Sequence, residues 1–338
     1  MLVLGIESSC DECSFAVVEN GRKIISHVIA TQIEDHKPYN GVVPEIASRR
    51  HVEMITPVYR QTMELAAEQG VKPSDIQGIG VTTHPGLSGS LVVGLNYAKA
   101  LSYAWNVPYV GVNHILAHLY APQLEQEIPY PYLGLLVSGG HTMITLVKGY
   151  QDIQVLGASI DDACGEAFDK VAKHYGLGYP GGKLIDDLAM QGNDRAFAFP
   201  FANLHKGGHR YDVSYSGLKN AVINQLDTFW DGKSEKSVEN ICASFQRVAI
   251  TSLLKKLYRA VEDTGITTIV AGGGVAANSY LRKSLEEHPD YQVYFPGMEL
   301  CTDNGAMIAG IAYHYLKEGN VSGLDAGVSP RVKGFRKI

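Results

Sequence analysis

The stretch Val3-Leu4-Gly5-Ile6-Glu7-Ser8-Ser9 opens a pattern of strand, turn, strand, turn, strand that extends to Val28. The second strand is predicted over Ser14 to Val18 and the third over Lys23 to Val28, with Asn20-Gly21 between them. An Asn-Gly pair between two β-branched runs indicates a tight hairpin, because both central residues of a type I′ turn need positive φ. The N-terminus therefore predicts three consecutive strands joined by short turns.

The same pattern returns from Leu133 onward, with strands ending near Gly140, Val147 and Gly157. After each triple of strands the chain predicts a helix, a buried strand, a helix, a short strand and a last helix. The first copy places them at 45–69, 76–81, 88–105, 108–112 and 114–120, and the second at 162–175, 267–271, 277–288, 291–295 and 304–316. A βββαβαβα unit used twice predicts an α/β protein with two similar lobes and a central cleft between them.

The predicted lobes span residues 1–111 and 112–303, and the last helix, at about 304–325, is expected to pack back on the first lobe. The second lobe is the longer one. Its surplus lies at about 176–256 and begins with a glycine-rich segment that cannot be helical. An insertion at the edge of a cleft is a common location for substrate specificity.

Composition narrows the class of protein. The 338 residues suit about two domains, and 45% of them are hydrophobic, which is enough for two cores. No apolar run approaches the roughly 18 residues of a membrane span, and the N-terminus enters a strand without a basic leader. We therefore expect a soluble, cytoplasmic protein. The five cysteines are scattered, and the one Cys-x-x-Cys pair, Cys10 and Cys13, favours small residues in a tight turn over a redox or zinc site.

Charge argues against a general attraction to nucleic acid, because the net charge is −6. Local basic clusters remain, and each is more often a solvated face than a binding site. They are Arg49 to His51, Lys206 to Arg210, and the tail residues Arg331, Lys333, Arg336 and Lys337. If the protein binds a nucleic acid, we expect the tail and the Lys206 to Arg210 loop to supply the phosphate contacts.

Three glycine-bearing turns each follow a predicted strand, at 5–9, 137–141 and 271–278. Glycine lets backbone N–H groups approach a phosphate closely, and a helix that begins beside such a turn adds its dipole to an anion site. One such turn is weak evidence of a ligand. Three at matching places in a duplicated fold predict nucleotide binding in the cleft.

His114 and His118 stand at i and i+4, so both imidazoles lie on one face of the predicted helix. Asp303 follows the matching strand of the second copy and is therefore expected to face His114 from the opposite lobe. Two histidines and a carboxylate with open positions form a site suited to Zn²⁺ or Fe²⁺. The alternative is a pair of histidines satisfied at a helix start.

Two groups of acids are further candidates. Asp162, Glu166 and Asp169 fall at i, i+4 and i+7, which is usually a solvent-facing stripe, but one of them could hydrogen-bond a ribose hydroxyl if this helix begins beside the second glycine turn. Asp11 and Glu12 lie in the first turn, where two carboxylates would repel a phosphate unless they position a water, a base or a metal. They are candidate catalytic groups, or ordinary turn residues.

With these residues in view, the chain closely resembles the bacterial tRNA adenosine threonylcarbamoyltransferase family (TsaD), essentially from end to end. The resemblance rests on Gly5-Ile6-Glu7-Ser8-Ser9-Cys10-Asp11-Glu12, Gly41-Val42-Val43-Pro44-Glu45-Ile46-Ala47-Ser48-Arg49, Asn113-His114-Ile115-Leu116-Ala117-His118, Val137-Ser138-Gly139-Gly140-His141-Thr142, Gly165-Glu166-Ala167-Phe168-Asp169-Lys170, Tyr215-Ser216-Gly217-Leu218-Lys219 and Gly273-Gly274-Val275-Ala276-Ala277-Asn278. Cys13 and His84 depart from the family, which has Thr and Gly there, and neither position belongs to the metal or adenylate sites.

The resemblance implies a duplicated actin-like (ASKHA) fold and transfer of a threonylcarbamoyl group from threonylcarbamoyl-AMP to N6 of the adenosine 3′ to the anticodon, in tRNAs that read ANN codons. It implies a divalent transition metal on His114, His118 and Asp303. It also implies helper proteins, a paralogous subunit of the same fold (TsaB-like) and a small P-loop ATPase (TsaE-like). The adenylate would be bound by Leu136, Val137, Ser138, Gly139, Gly140, Asp169, Gly182, Asp186 and Asn278.

Chemistry supports this expectation. The acyl donor is a mixed anhydride and already activated, so the enzyme needs positioning and charge stabilisation more than a covalent nucleophile. An adenine amino group is a poor nucleophile, so a base must accept its proton. Asp11 is the candidate base, with Glu12 beside it.

Other functions compete with this one. A sugar-kinase-like ATPase shares the predicted fold, but a two-histidine helix is a poor Mg²⁺ site. A nucleotide-binding regulatory protein of the same fold would need neither the metal trio nor the acids of the first turn. A metalloprotease fits least, because Ile115 stands where the zincin helix has its general-base glutamate.

Overall fold

A computed structural model describes residues 1–202, 204 and 208–331, together with the backbone of 336–337. The chain divides into two compact units. The first comprises Met1–Ile128 and Pro296–Phe335, and the second Pro129–Phe295 and Arg336–Ile338. The prediction places the lobe boundaries at residues 111 and 303. In the structure the segment between 112 and 128, which holds the histidine pair, belongs to the first unit.

The strands account for both predicted triples and for the later buried strands. They are β1 (Leu2–Glu7), β2 (Glu12–Glu19), β3 (Lys23–Thr31), β4 (Ile76–His84), β5 (Tyr109–Asn113), β6 (Tyr132–Val137), β7 (Thr142–Val147), β8 (Ile153–Ala158), β9 (Thr268–Gly272), β10 (Gln292–Tyr294) and β11 (Arg336–Lys337).

The α-helices of the described residues range from one turn to 27 residues. They are α1 (Ile33–His36), α2 (Pro44–Glu68), α3 (Ser88–Trp105), α4 (His114–Tyr120), α5 (Cys164–His174), α6 (Gly181–Ala189), α7 (Ser216–Asn224), α8 (Leu226–Phe229), α9 (Val238–Thr264), α10 (Ser279–Glu286) and α11 (Gly305–Lys317). None of these helices combines the length and apolar character that a bilayer span requires.

The sheet of the first unit has the order β3-β2-β1-β4-β5. Its first three strands are antiparallel neighbours, and β1, β4 and β5 run parallel. The predicted hairpin between β2 and β3 is confirmed, since Asn20 has φ 52° and Gly21 has φ 78°. Strand β1 is buried along almost its whole length, as expected of a strand covered on both faces of the sheet.

The sheet of the second unit repeats this order. It reads β10-β9-β6-β7-β8-β11, in which β8-β7-β6-β9-β10 corresponds strand by strand to β3-β2-β1-β4-β5. The antiparallel and parallel pairings also match. The two-residue strand β11 adds to the edge at β8. The predicted duplicated α/β fold is therefore confirmed.

Two helices begin two residues later than predicted, for local reasons. The helix predicted from residue 277 begins at Ser279, because Gly274–Ala277 forms a 3₁₀ turn and the Asn278 side chain then caps α10 by accepting from Leu281 N at 3.0 Å. The helix predicted from residue 162 begins at Cys164, because Ala163 has extended backbone (ψ 159°).

Helix α11 packs against the first sheet at unusually short range, and glycines make this possible. A Cβ atom placed on Gly5 would lie 2.0 Å from the carbonyl oxygen of Gly305, and one on Gly80 would lie 2.4 Å from Cβ of Ala312. A Cβ on Gly305 would lie 2.8 Å from the backbone of Ala16. The backbone of α11 therefore rests on β1, β2 and β4 without intervening side chains.

This contact predicts that Gly5→Ala is strongly destabilising. The added methyl group meets backbone atoms that cannot rotate away, so the helix must shift, at a cost of about 3 kcal/mol, the upper end of the usual overpacking range. Urea unfolding measures this loss. Gly327→Ala is the matched control, because nothing lies within 4 Å of its added Cβ, and it should change stability by less than about 0.5 kcal/mol. Equal stability of the two variants would contradict the packing argument.

Candidate functional site

Helix α4 presents the two predicted histidines at its start. Asn113 caps the helix, its side-chain oxygen accepting from Ile115 N at 2.9 Å and Leu116 N at 3.4 Å. His114 is the first helical residue and His118 lies one turn later, with ring centroids 4.5 Å apart. Both side chains are buried, so the helix places two imidazoles side by side out of bulk water.

Asp303 lies against this histidine pair. Its Oδ1 is 3.0 Å from Nε2 of His118 and 3.4 Å from Nε2 of His114. Its Oδ2 accepts from the Ser9 hydroxyl at 3.4 Å. One possible ligand atom from each of His114, His118 and Asp303 lies within 4.8 Å of the other two. The structure thus brings together all three predicted metal ligands.

The expectation that Asp303 approaches from the opposite lobe is wrong, because all three residues belong to the first unit. Asp303 directly precedes the start of α11, where the Asn304 side chain caps the helix by accepting from Met307 N at 2.9 Å. The close packing of α11 on β1 therefore places Asp303 beside the two histidines, and all three residues lie in the first unit.

The charged groups of this cluster change one another's pKa values. Burial alone would lower the pKa of His114, but the neighbouring Asp303 and Glu7 carboxylates outweigh it and raise that pKa to about 9. Burial likewise opposes ionisation of Asp303, yet His114 and His118 hold its pKa below the usual range. Neutral imidazole nitrogens and a carboxylate oxygen are the donors that zinc and ferrous iron prefer, so these residues fit the implied metal.

The candidate catalytic acids lie beside this cluster. Asp11 is buried, and Glu12 begins β2. Burial, followed by the charges of Asp11 and Asp303, raises the pKa of Glu12 well above its usual range, and a hydrogen bond with Asp11 adds to the shift. The raised pKa of Glu12 makes this residue suited to holding a proton at neutral pH.

The Cys-x-x-Cys pair has no sign of redox or metal chemistry. Cys10 and Cys13 are free thiols. Burial, together with nearby acids, raises the pKa of Cys10 well above its usual range and that of Cys13 to about 12. Both are therefore protonated at neutral pH, which disfavours them as nucleophiles or metal ligands.

In the second unit, the turn after β6 closes on itself. Ser138 N donates to the carbonyl of His141 at 2.8 Å, and His141 N donates to Oγ of Ser138 at 3.1 Å. Gly139 and Gly140 between them are exposed, and a Cβ on either would meet nothing within 4 Å. Leu136 and Val137 are buried in β6 and support the turn from below. The turn thus leaves open space in front of its backbone.

The other glycine segments pack onto this turn. A Cβ on Gly165, in the first turn of α5, would lie 2.7 Å from the carbonyl oxygen of Ser138. A Cβ on Gly273, which has φ 91°, would lie 2.5 Å from the carbonyl oxygen of Val137. The helix start of α5 and the glycine turn after β9 therefore converge on the turn after β6, and the nucleotide site expected at these turns stays a prediction.

Two acids of the predicted adenylate site are hydrogen-bonded near α6: Asp169 at its first residue, and Asp186 on the helix itself. Oδ1 of Asp169 accepts from Gly181 N at 2.7 Å, and Gly182 beside it faces open space. Asp186 accepts from Ser279 N at 2.9 Å, Ser279 Oγ at 2.7 Å and Asn278 Nδ2 at 3.2 Å. The predicted residues Asp186 and Asn278 are therefore direct neighbours.

Gln246 is a member of this group that the sequence does not predict. It is buried on α9, and its amide nitrogen donates to Asp186 at 2.9 Å while its oxygen accepts from Asn278 at 2.9 Å. The residue occupies one position on a 27-residue helix that carries several other polar residues, and no motif in the sequence singles it out. Only the tertiary contact with Asp186 and Asn278 identifies it.

The predicted acidic stripe is divided between different partners. Asp162 precedes α5 and holds both Lys170 at 2.7 Å and Lys219 at 2.6 Å. Glu166 pairs with Lys170 at 2.8 Å, so among the three acids Asp169 is the one directed at the turn before α6.

The basic clusters are largely paired where the structure describes them. Arg50 pairs with Asp35 and Glu53, and Arg210 with Asp263. Arg331 is exposed. Two residues of the predicted clusters, Lys206 and Lys333, lie outside the described residues, and only the backbone of Arg336 and Lys337 is described.

Known proteins resemble the chain over its whole length. A model of the tRNA N6-adenosine threonylcarbamoyltransferase family matches residues 23–310. The tRNA N6-adenosine threonylcarbamoyltransferase of Treponema denticola is 59% identical over 337 residues, which cover 100% of this chain and 99% of that protein. The protein of the same name from Treponema pallidum is 50% identical over 337 residues, covering 100% and 95% of the two chains.

Solved structures of the same fold include two distant relatives. HypF in its phosphate- and nucleotide-bound form has a TM-score of 0.62 at 16% identity, covering 95% of this chain and 47% of that chain. Component A of the (R)-2-hydroxyglutaryl-CoA dehydratase of Acidaminococcus fermentans has a TM-score of 0.55 at 15% identity, covering 94% and 99%. Both likenesses support the actin-like two-lobe fold alone.

The geometry predicts that His118→Ala abolishes metal binding. Removing one of three protein ligands from the cluster leaves too few donors to hold a transition metal against buffer. Elemental analysis of the purified protein after loading with Zn²⁺ or Fe²⁺ and desalting measures the stoichiometry. His174→Ala, which removes an exposed histidine of α5, is the control and should retain the metal. Full occupancy in His118→Ala would remove this residue from the site.

Proposed function

The chain belongs to the tRNA N6-adenosine threonylcarbamoyltransferase family and makes the t6A modification of tRNA, and we propose that it transfers the threonylcarbamoyl group of threonylcarbamoyl-AMP. The acceptor is N6 of the adenosine 3′ to the anticodon in tRNAs that read ANN codons. The observation that carries the proposal is the His114, His118 and Asp303 cluster, assembled in a chain that matches full-length transferases of this name.

A metal in the first unit would be held by His114, His118 and Asp303. A divalent zinc or iron bound there would supply a Lewis acid that polarises the donor carbonyl and offsets charge on the departing phosphate. The protein's own contribution is to hold the three donors in a buried setting, where charge interactions are less screened than in water.

The second unit binds the adenylate portion of the donor. The backbone around Ser138, Gly139 and Gly140 faces open space, and it is the place we assign to the phosphate. Asp169 and Gly182 are assigned to the ribose, and Asp186 with Asn278 to the adenine side. Asn278 donates to both Asp186 and Gln246, so its amide is held in one orientation.

The acids of the first turn handle the proton. As N6 attacks the carbonyl carbon, the N–C bond forms, the C–O bond to phosphate breaks and AMP leaves with that electron pair. The N6 proton must go to a base, and we assign Asp11 to this role. Glu12, whose pKa is raised by burial and by the charge of Asp11, is its hydrogen-bonded partner.

Two other functions fit the site less well. A kinase-like ATPase needs Mg²⁺ on carboxylates and water, and the cluster offers two imidazoles and one carboxylate. A zincin-type protease needs a glutamate next to the first histidine, and Ile115 is a fully buried apolar residue at that position.

Because the substrate is tRNA, we place the reaction in the cytoplasm. The net charge of −6 means that phosphate contacts depend on local basic residues or on partner proteins. A paralogous subunit of the same fold and a small P-loop ATPase are the partners that we propose. The direct test is to incubate the protein with tRNA, threonylcarbamoyl-AMP and these partners and to detect the modified nucleoside by mass spectrometry. Absence of t6A with all components present would refute the proposal.

Asp11→Asn should lower kcat of this reaction by about 100-fold or more, because the variant keeps its volume but loses the proton acceptor. Metal content and AMP affinity should stay unchanged, which separates loss of the base from loss of a binding site. Asp290→Asn, an exposed acid in the second unit, serves as control and should be fully active. An active Asp11→Asn enzyme would exclude Asp11 as the base.

Asp169→Ala should weaken AMP binding by about tenfold, since it loses one ribose hydrogen bond to a charged acceptor and frees the Gly181 N–H. Isothermal calorimetry with AMP measures the change. Asp187→Ala is the matched control on α6, because this acid pairs only with Lys183 at the surface among the described contacts. Unchanged affinity in Asp169→Ala would remove Asp169 from the site.

A further inference from the structure

The carboxylate of Glu7 lies buried beside the metal ligands and has no assigned role. Glu7 ends β1 and is fully buried. Its Oε1 accepts from Ser9 N at 2.5 Å, and its Oε2 accepts from the hydroxyl of Thr82 at 2.5 Å. The same Oε2 is 3.0 Å from Nδ1 of His114. Buried carboxylates are costly unless fully hydrogen-bonded, and here each oxygen has at least one donor.

We propose that Glu7 is a positioning residue of the metal centre, which fixes His114 in the tautomer that leaves Nε2 available for the metal. The proposal rests on the metal site assigned above. An ionised carboxylate can only accept hydrogen bonds, so the nitrogen that faces Oε2 must carry a proton. With the proton on Nδ1, the lone pair of the neutral ring is on Nε2, the atom that lies 3.4 Å from Asp303.

Other contacts of His114 agree with this assignment. Oγ of Ser9 lies 3.2 Å from Nδ1 of His114 and donates its own proton to Asp303. Ser9 can therefore accept a share of the Nδ1 proton but cannot also supply one to this nitrogen. The Glu7 carboxylate thus requires a proton on Nδ1 of His114, and a Ser9 hydroxyl that donates to Asp303 is compatible with that proton.

The two metal ligands are supported unequally. His118 faces Asp303 through Nε2, but its Nδ1 is buried with no hydrogen-bond partner among the described residues. No acceptor among the described residues therefore fixes the proton on Nδ1 of His118. His114 is therefore the ligand whose tautomer is fixed by a carboxylate, and Glu7 is the residue that fixes it.

Glu7→Gln turns this into a sharp test, because an amide has one accepting and one donating end. Directed toward Ser9 N, the NH₂ group would face a backbone N–H that cannot turn away. Directed toward His114, it would face a ring that can move its proton from Nδ1 to Nε2. The second arrangement is the less costly, and it leaves the metal-facing nitrogen protonated.

The variant should therefore bind metal more weakly by about 10- to 100-fold, the usual effect of losing an outer partner of a histidine ligand. Competition with a chromophoric chelator measures the Zn²⁺ affinity of the full chain. Thr82→Val is the matched control, since it removes a neighbouring donor to the same Oε2 and leaves the carboxylate and its contact with His114 in place. Its affinity should stay within about threefold of the parent protein, because the histidine tautomer is unchanged.

Circular dichroism and thermal unfolding of both variants show whether they fold. A second measurement needs no change at Glu7. Nitrogen-15 spectra of histidine-labelled, zinc-loaded parent protein, with His114 assigned by its loss in His114→Gln, should show a proton on Nδ1 and none on Nε2. A metal-bound Nδ1, or equal Zn²⁺ affinities of Glu7→Gln and Thr82→Val, would overturn the proposal. If the parent protein itself binds no metal, the metal site fails, and that outcome is distinct from a failure of Glu7 alone.

Discussion

The close contact between helix α11 and strand β1 is the constraint on which the proposed metal centre depends. A Cβ on Gly5 would lie 2.0 Å from the carbonyl of Gly305, so no other side chain fits between this strand and this helix. Asp303 precedes the helix by two residues, and Glu7 and Ser9 follow Gly5 on the strand and its turn. This backbone contact therefore brings Asp303 close to Ser9, which donates to it, and to Glu7, which lies beside His114.

Electrostatics favours a cation at the proposed metal centre. Glu7 is a buried acid and Glu12 and Asp303 are half-buried acids near two imidazoles, and burial of like charges is costly. In the metal-free protein a proton on His114 offsets part of that charge, which is the physical meaning of a pKa raised to about 9. A divalent cation offsets the same charge from the same position. The proton and the metal therefore compete for one nitrogen, and metal binding releases the proton.

Much of this arrangement could be predicted from local sequence. The Asn20-Gly21 hairpin, the repeated strand order and the helical spacing of His114 and His118 all follow from short-range rules, and the structure has them. What could not be predicted is which unit holds Asp303. By analogy with the repeat, Asp303 is expected opposite His114. The position of Asp303 is set instead by the glycines through which β1 and α11 pack together. A glycine in a sequence does not reveal which backbone segment will pack against it.

The residues that the sequence does not predict share one property: their partners are far away along the chain. Glu7 meets a histidine 107 positions later, and Gln246 meets Asp186 across 60 positions. Both are orienting residues, and each acts within its own unit. The hydrogen bonds around the metal ligands and those around Asn278 share no residue in the described parts of the chain. A substitution in one network can therefore change metal binding or nucleotide binding without directly altering the other, so each role can be assigned by its own binding measurement.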